Sequence, residues 1–481
     1  MQTINRAAFR RFSTELPIML KLAWPVIFAE IGWVMLGVVD TMVVGRVSAE
    51  ALGAVSIGSG LHMAVILVGI GLLLGLDYKI SHAHGAGSIE KCKHILMHGV
   101  TLAFILSLPL IAVVFILIAL LPSFKIQAAV LPGAISYLKI ASISILPIML
   151  YNALRRYLQA CSIVKPLAVT LIIANIFNAF ANWVFVFGKF GFPAMGADGA
   201  AIATNISAIA IFVCLAIVVM RNERREKRRL LDGFSGFQKT LFVELLKLGF
   251  PAATQILFEV GIFTTVTMLA GRLAPISLAA HHIVLKIISF TFMIPLGLSS
   301  AGAVRVGQEI GRKSPRTAAT AGWTAMIIGA GFMSFCGIIL LVFPVETLSI
   351  FTSENEVIIA AVSLVLVAAL FQLFDGVQVT AIGVLRGLGD TKTAMYASLI
   401  CHWGFGVPIA YLLCFRYGWG LTGLWAGLCA GLISVAVVLL YVWRKKAAAK
   451  LHTNLALSLF LVGIFYWITG SSGFDSQYFV R

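Results

Sequence analysis

The chain has 481 residues, 60% of them hydrophobic and only 11% charged, with a mean hydropathy of +1.00 and a formal net charge of +17. Soluble domains carry about 25% charged residues, so this composition excludes a water-soluble enzyme or binding module and reads as an all-α integral membrane protein with many spans. Seven scattered cysteines without a Cys-x-x-Cys pair suggest neither a disulfide frame nor a metal cluster.

The stretch Met1 to Arg11 is basic and lacks a signal-peptide pattern, so the first membrane helix is expected to stay in the mature chain. Twelve apolar segments follow, near 18–44, 52–76, 95–121, 132–159, 166–188, 199–220, 243–270, 278–302, 318–344, 357–385, 393–415 and 420–443. A last apolar stretch, Leu455 to Ile468, is short for a span and is either interfacial or a thirteenth, tilted helix. The expected organisation is a six-helix lobe at 1–220, a basic cytoplasmic linker at 221–241, a second six-helix lobe at 242–445 and a tail at 446–481.

Most of the 36 basic residues fall on one side of this topology. They include Arg10 and Arg11 before the first span, the run Arg221 to Arg229, and Arg444 to Lys446 after the twelfth. Arg155 and Arg156 are read at the join of the fourth and fifth spans, and Arg305 and Arg312 after the eighth. The bias predicts a plasma (bacterial inner) membrane protein with a cytoplasmic N-terminus, in contact with membrane lipid. The 221–229 run is read as this orientation signal, and no nucleic-acid partner is expected. His82 and His84 are read as loop residues rather than metal ligands.

Asp40, Glu259 and Asp375 each stand inside a long apolar stretch. A carboxylate at membrane depth is costly unless paired, protonated or facing a wet cavity, so such acids mark ion, proton or substrate pathways. The same acids also fit helix ends or buried structural hydrogen bonds. Glu30, ten residues before Asp40, either faces the cleft or is satisfied by a neighbouring helix.

The chain repeats itself with a shift of 226 residues. Leu20-Lys21-Leu22-Ala23-Trp24-Pro25 matches Leu246-Lys247-Leu248-Gly249-Phe250-Pro251, and the same shift carries Gly71 onto Gly297 and Gly85 onto Gly311. A shift over an even number of helices gives two lobes of like orientation, related by an axis along the membrane normal.

These residues resemble the multidrug and toxic-compound extrusion (MATE) transporters, most closely their NorM-like branch. The likeness rests on Pro25 with Val39 to Gly45, on Asn178-Ala179-Phe180-Ala181-Asn182-Trp183, on Pro251 with Glu259, and on Asp375-Gly376-Val377-Gln378 running into Leu385 to Thr391. It implies a secondary-active antiporter, not an enzyme. Organic cations and other drugs would be exported in exchange for Na+ or H+ by alternating access of two pseudo-symmetric lobes. The resemblance implies that Asp40, Asn178, Asn182 and Thr204 form one coupling site and that Glu259 and Asp375 form another, each open to Na+ or H+. Asn178 and Asn182 stand four residues apart and share a helix face; interhelical glue is their other reading. Phe371 stands where some relatives carry a tyrosine, which weakens a sodium site in the second lobe. Glu30, Gln255, Phe258, Phe292, Phe371, Gln372 and Gln378 are expected to line the cleft, and Pro25 and Pro251 to act as hinges. Cationic lipophilic small molecules are the expected partners, no cofactor is expected beyond the coupling ion, and the chain is expected to be monomeric.

Two rivals remain. A lipid-linked oligosaccharide flippase would need basic residues in its cleft, whereas the membrane-embedded charges here read as mainly acidic. An integral membrane lipid or sugar transferase would need clustered acid or histidine motifs, and neither D-x-D nor H-E-x-x-H occurs.

Overall fold

The structure, a computed structural model, describes residues 2–124, 126–225 and 236–451. Among these residues it is helical throughout, with twelve helices long and apolar enough to cross a membrane. They are α1 (Arg10–Val44), α2 (Ala49–Gly85), α3 (Ile89–Phe124), α4 (Leu131–Ala160), α5 (Lys165–Phe187), α6 (Gly196–Arg225), α7 (Lys239–Ala270), α8 (Pro275–Gly311), α9 (Pro315–Val342), α10 (Val365–Gly387), α11 (Lys392–Arg416) and α12 (Gly420–Ala447). Two short helices, Pro344–Ser349 and Asn355–Val362, join α9 to α10. The twelve expected spans are all present. The stretch 455–468 and most of the basic linker, 226–235, lie outside the described residues.

Several boundaries move. Helices α2 and α8 run on to Gly85 and Gly311, well past the expected ends at 76 and 302. Hydropathy misses these extensions because they carry Asp77, Lys79 and Arg305, which other helices satisfy, and Glu309, held by Arg305 and Arg312. His82 and His84 therefore lie in the last turns of α2 rather than in a loop. Arg155 and Arg156 sit inside α4, each 4% exposed, and Arg305 sits inside α8 at 6%. None of the three is a loop charge at a membrane surface.

The two six-helix lobes meet along α1, α2, α7 and α8. The meeting lies in the half of each helix nearest the face that carries the basic residues, termed here the basic face. Glycine makes it possible. A Cβ on Gly71 would lie 2.5 Å from the Cα of Ala253, and one on Gly297 would lie 2.9 Å from the Cα of Ile27. These two contacts are mates under the 226-residue shift, so the internal repeat is written into the packing. The same holds for Gly85 against the carbonyl oxygen of Gln308 (1.9 Å) and Gly311 against that of His82 (2.2 Å). Small residues let membrane helices approach backbone to backbone. In the opposite half no hydrogen bond or ion pair joins the lobes among the described residues. There α1 presents Val34, Met35, Val38 and Met42 as exposed side chains.

Candidate functional site

Asp40 lies in the last turns of α1 and is 6% exposed. Two close helix approaches bring its partners to it. Gly32 lets α1 pack on Leu171 of α5, where Asn175 Nδ2 donates to the Gly32 carbonyl at 2.8 Å. Gly199 lets α6 reach the backbone of Phe185 in α5. With the three helices so placed, Asn182 Nδ2 donates to Asp40 Oδ1 at 2.6 Å and Thr204 Oγ1 to Oδ2 at 2.8 Å. Asn178 Oδ1 accepts from the same Asn182 amide at 3.2 Å. All four residues are therefore in one cluster. Asn182 Oδ1 is buried without a partner, an oxygen free to ligate.

Sequence reasoning missed a fifth member, Tyr137 of α4. Its phenol lies beside Thr204 and close enough to feel the charge of Asp40. Its neighbour Gly58 in α2 has no room for a Cβ, which would lie 2.4 Å from the ring. That crowding is a tertiary signal, invisible along the chain.

In the second lobe, Glu259 of α7 accepts from Gln378 Nε2 of α10 at 2.6 Å, and buried Gln255 stands one turn earlier on α7. Asp375 of α10 is 6% exposed and near enough to Glu259 for the two charges to interact. No ion pair neutralises either acid among the described residues. The two acids and two glutamines make a compact oxygen-rich pair of helix faces.

The cleft candidates divide. Phe258 and Phe292 are half-buried. Gln372 is 1% exposed and accepts from Thr291 Oγ1 at 3.0 Å, so it ties α10 to α8. Phe371 is a correction: at 1% exposure it packs edge-on against Phe263 and Trp425, at centroid distances of 6.1 and 6.0 Å. An apolar ring gains more from that core than from a polar cleft, so it lines no open surface. For Glu30 the structure selects the second of its two readings, an acid satisfied by a neighbouring helix and not a cleft residue: it pairs with Arg155 of α4 and is 9% exposed. Buried Arg155 needs that carboxylate, since an unpaired charge there is prohibitive. Helices α1 and α7 continue without a break through Pro25 and Pro251.

Another group that sequence reasoning missed sits deeper towards the basic face. Asp77 of α2 is 1% exposed, with Oδ2 3.4 Å from Arg156 Nη1 and 3.1 Å from Arg386 Nε of α10. The motif Leu385 to Thr391 supports this corner. Gly389 takes a left-handed φ of +77° beside the Tyr78 ring, and Asp390 accepts from Thr393 N–H at 3.1 Å to cap α11. Asp390 also pairs with Lys446 of α12. Among the described residues the four buried arginines each lie against an acid, Arg155 on Glu30, Arg305 on Glu15, and Arg156 and Arg386 sharing Asp77.

The MatE family model matches residues 25–184 and again 251–412, two copies offset by the repeat. The chain is 36% identical to a probable multidrug resistance protein NorM of Mesorhizobium japonicum, over 92% of this chain and 96% of that one. It is 31% identical to the multidrug resistance protein NorM of Vibrio cholerae, over 93% and 99%. The fold superposes on the crystal structure of the eukaryotic MATE transporter AtDTX14 with a TM-score of 0.80, at 26% identity over 91% of this chain and 98% of that one.

Proposed function

Because the chain belongs to the MatE family, we propose that it is a secondary-active exporter of cationic lipophilic small molecules, driven by inward flow of Na+ or H+. The observation that carries this reading is Asp40, a membrane-embedded carboxylate whose two oxygens are held by donors from two further helices. Asp40, Asn178, Asn182 and Thr204 offer only oxygen ligands to a cation, the chemistry a hard ion or a shared proton requires. Glu259 and Asp375 form the second such place. Two neighbouring carboxylates with no base between them repel, and a proton or small cation between them relieves that repulsion.

Exchange follows from competition. An organic cation is drawn to an ionised carboxylate in a low-dielectric site and to aromatic faces such as Phe258 and Phe292. When H+ or Na+ neutralises the same carboxylate, the drug loses its partner and leaves. Taking the basic face as cytoplasmic, a seam closed there and lobes parted towards the opposite face correspond to an outward-open state. Buried arginines held against acids favour an exporter over a lipid-pyrophosphate flippase, which needs exposed positive charge in its cleft.

Reconstitution tests this. In proteoliposomes, transport of a tetraphenylphosphonium-type cation should follow an imposed Na+ or pH gradient and collapse in Asp40→Asn. No transport under either gradient overturns the reading.

A further inference from the structure

We propose that two ion pairs related by the internal repeat, Glu15–Arg305 and Lys79–Glu244, are latches that, beside the Asp77–Arg386 pair, hold the basic-face gate shut and must break for the gate to open. The inference rests on the alternating-access reading above, and it assigns roles to four residues outside the coupling sites.

Each pair crosses the seam. Glu15 of α1 takes a two-pronged grip from Arg305 of α8, with Nε to Oε1 at 2.7 Å and Nη2 to Oε2 at 2.9 Å. Arg305 Nη1 is also 3.0 Å from Glu309, which Arg312 holds in turn at 2.6 Å. Lys79 of α2 meets Glu244 of α7 at 2.5 Å. The two bases, Lys79 and Arg305, stand 226 positions apart, the shift of the repeat itself. The two acids stand 229 apart, one helical turn from perfect correspondence. Each lobe thus lends the other one base from the end of its second helix and takes it on an acid near the start of its first. Between the latches, Gln308 Nε2 donates across the seam to the Ala160 carbonyl at 2.8 Å and to Ser162 Oγ at 2.9 Å.

Their exposures differ in a useful way. Side chains of Glu15 and Arg305 are 5% and 7% exposed, while those of Lys79 and Glu244 are 27% and 53%. Breaking the first pair leaves a charge stranded in a dry seam, so separation must admit water. The second pair is wet and can be reversed in sign without harming the fold.

Hydrogen exchange on the purified full chain in lipid nanodiscs tests the latches, reading backbone segments 72–85 and 299–311. We expect Lys79→Glu and Glu244→Lys each to place like charges across the seam and raise exchange about fivefold, the scale of an exposed pair. The doubly reversed chain should return to the parent rate. Arg305→Gln should raise exchange about a hundredfold, as for a broken buried pair. Single reversals that exchange like the parent, or a double reversal as loose as the singles, overturn the proposal. Transport in proteoliposomes is scored separately. If exchange follows the expected pattern while the parent moves no organic cation, the latches stand and the exporter reading falls.

Discussion

Gly85 of α2 approaches Gln308 of α8 so closely that an added Cβ would sit 1.9 Å from the Gln308 carbonyl oxygen. Its repeat mate Gly311 stands in the same relation to His82. Neither position can take a side chain while the lobes stay closed at this face, because the obstacle is backbone rather than a side chain that can rotate away.

Gly85→Ala is therefore expected to destabilise the closed seam by about 1–3 kcal/mol, the usual cost of overpacking. Thermal unfolding and hydrogen exchange over residues 299–311 measure it. Unchanged values for both would mean that the seam yields more readily than its backbone contacts imply.

At Asp40 the expected signature is non-additivity. Asn182→Ala and Thr204→Ala each remove one donor to the same carboxylate. Groups that share one partner show coupled energies, so the double variant should lose clearly less gradient-driven transport than the product of the two single losses. Strict multiplicativity in a vesicle efflux assay would speak against a shared site.

For the second lobe, Glu259→Gln and Asp375→Asn keep shape but remove the charge that a proton or cation would satisfy. Each is expected to lower gradient-driven efflux sharply with folding intact. Gln378→Ala, which deletes the 2.6 Å bond to Glu259, should cost less. Full transport in both acid variants would remove this pair from the mechanism.

Phe371→Ala tests the correction from cleft residue to core residue. Emptying a ring site 1% exposed between Phe263 and Trp425 should cost about 3–5 kcal/mol of stability. Phe371→Leu should recover most of it. A stable Phe371→Ala protein with altered substrate preference would return the residue to the cleft.

Asp390 gives a pH expectation outside the membrane spans. Burial acts to raise its carboxyl, but Lys446 and Thr393 outweigh burial and hold it below its ordinary value. A depressed acid stabilises the folded state above its unfolded pKa of about 4, and that contribution fades as pH falls through the lower folded value. The parent should therefore lose stability relative to Asp390→Asn only at acidic pH, and thermal unfolding across a pH series measures the difference. Parallel curves from pH 3 to 7 would contradict it.

Twelve spans, the two-lobed repeat and the acids of both lobes were legible in the chain because each is a local signal. An apolar run long enough for a bilayer, a shared 226-residue shift and a carboxylate among leucines need no knowledge of neighbours. Tertiary structure decided the rest. Arg155, Arg156 and Arg305 read as loop charges because hydropathy averages a window and cannot see a carboxylate brought from another helix. Once Glu30, Asp77 and Glu15 supply those partners, the same arginines lie inside the protein and the helices lengthen around them. Phe371 stands one turn from Asp375 in sequence, yet α7 and α12 close round it and claim the ring for the core. Where a buried charge or ring finds its partner depends on the path of other helices, and no spacing along one helix encodes that.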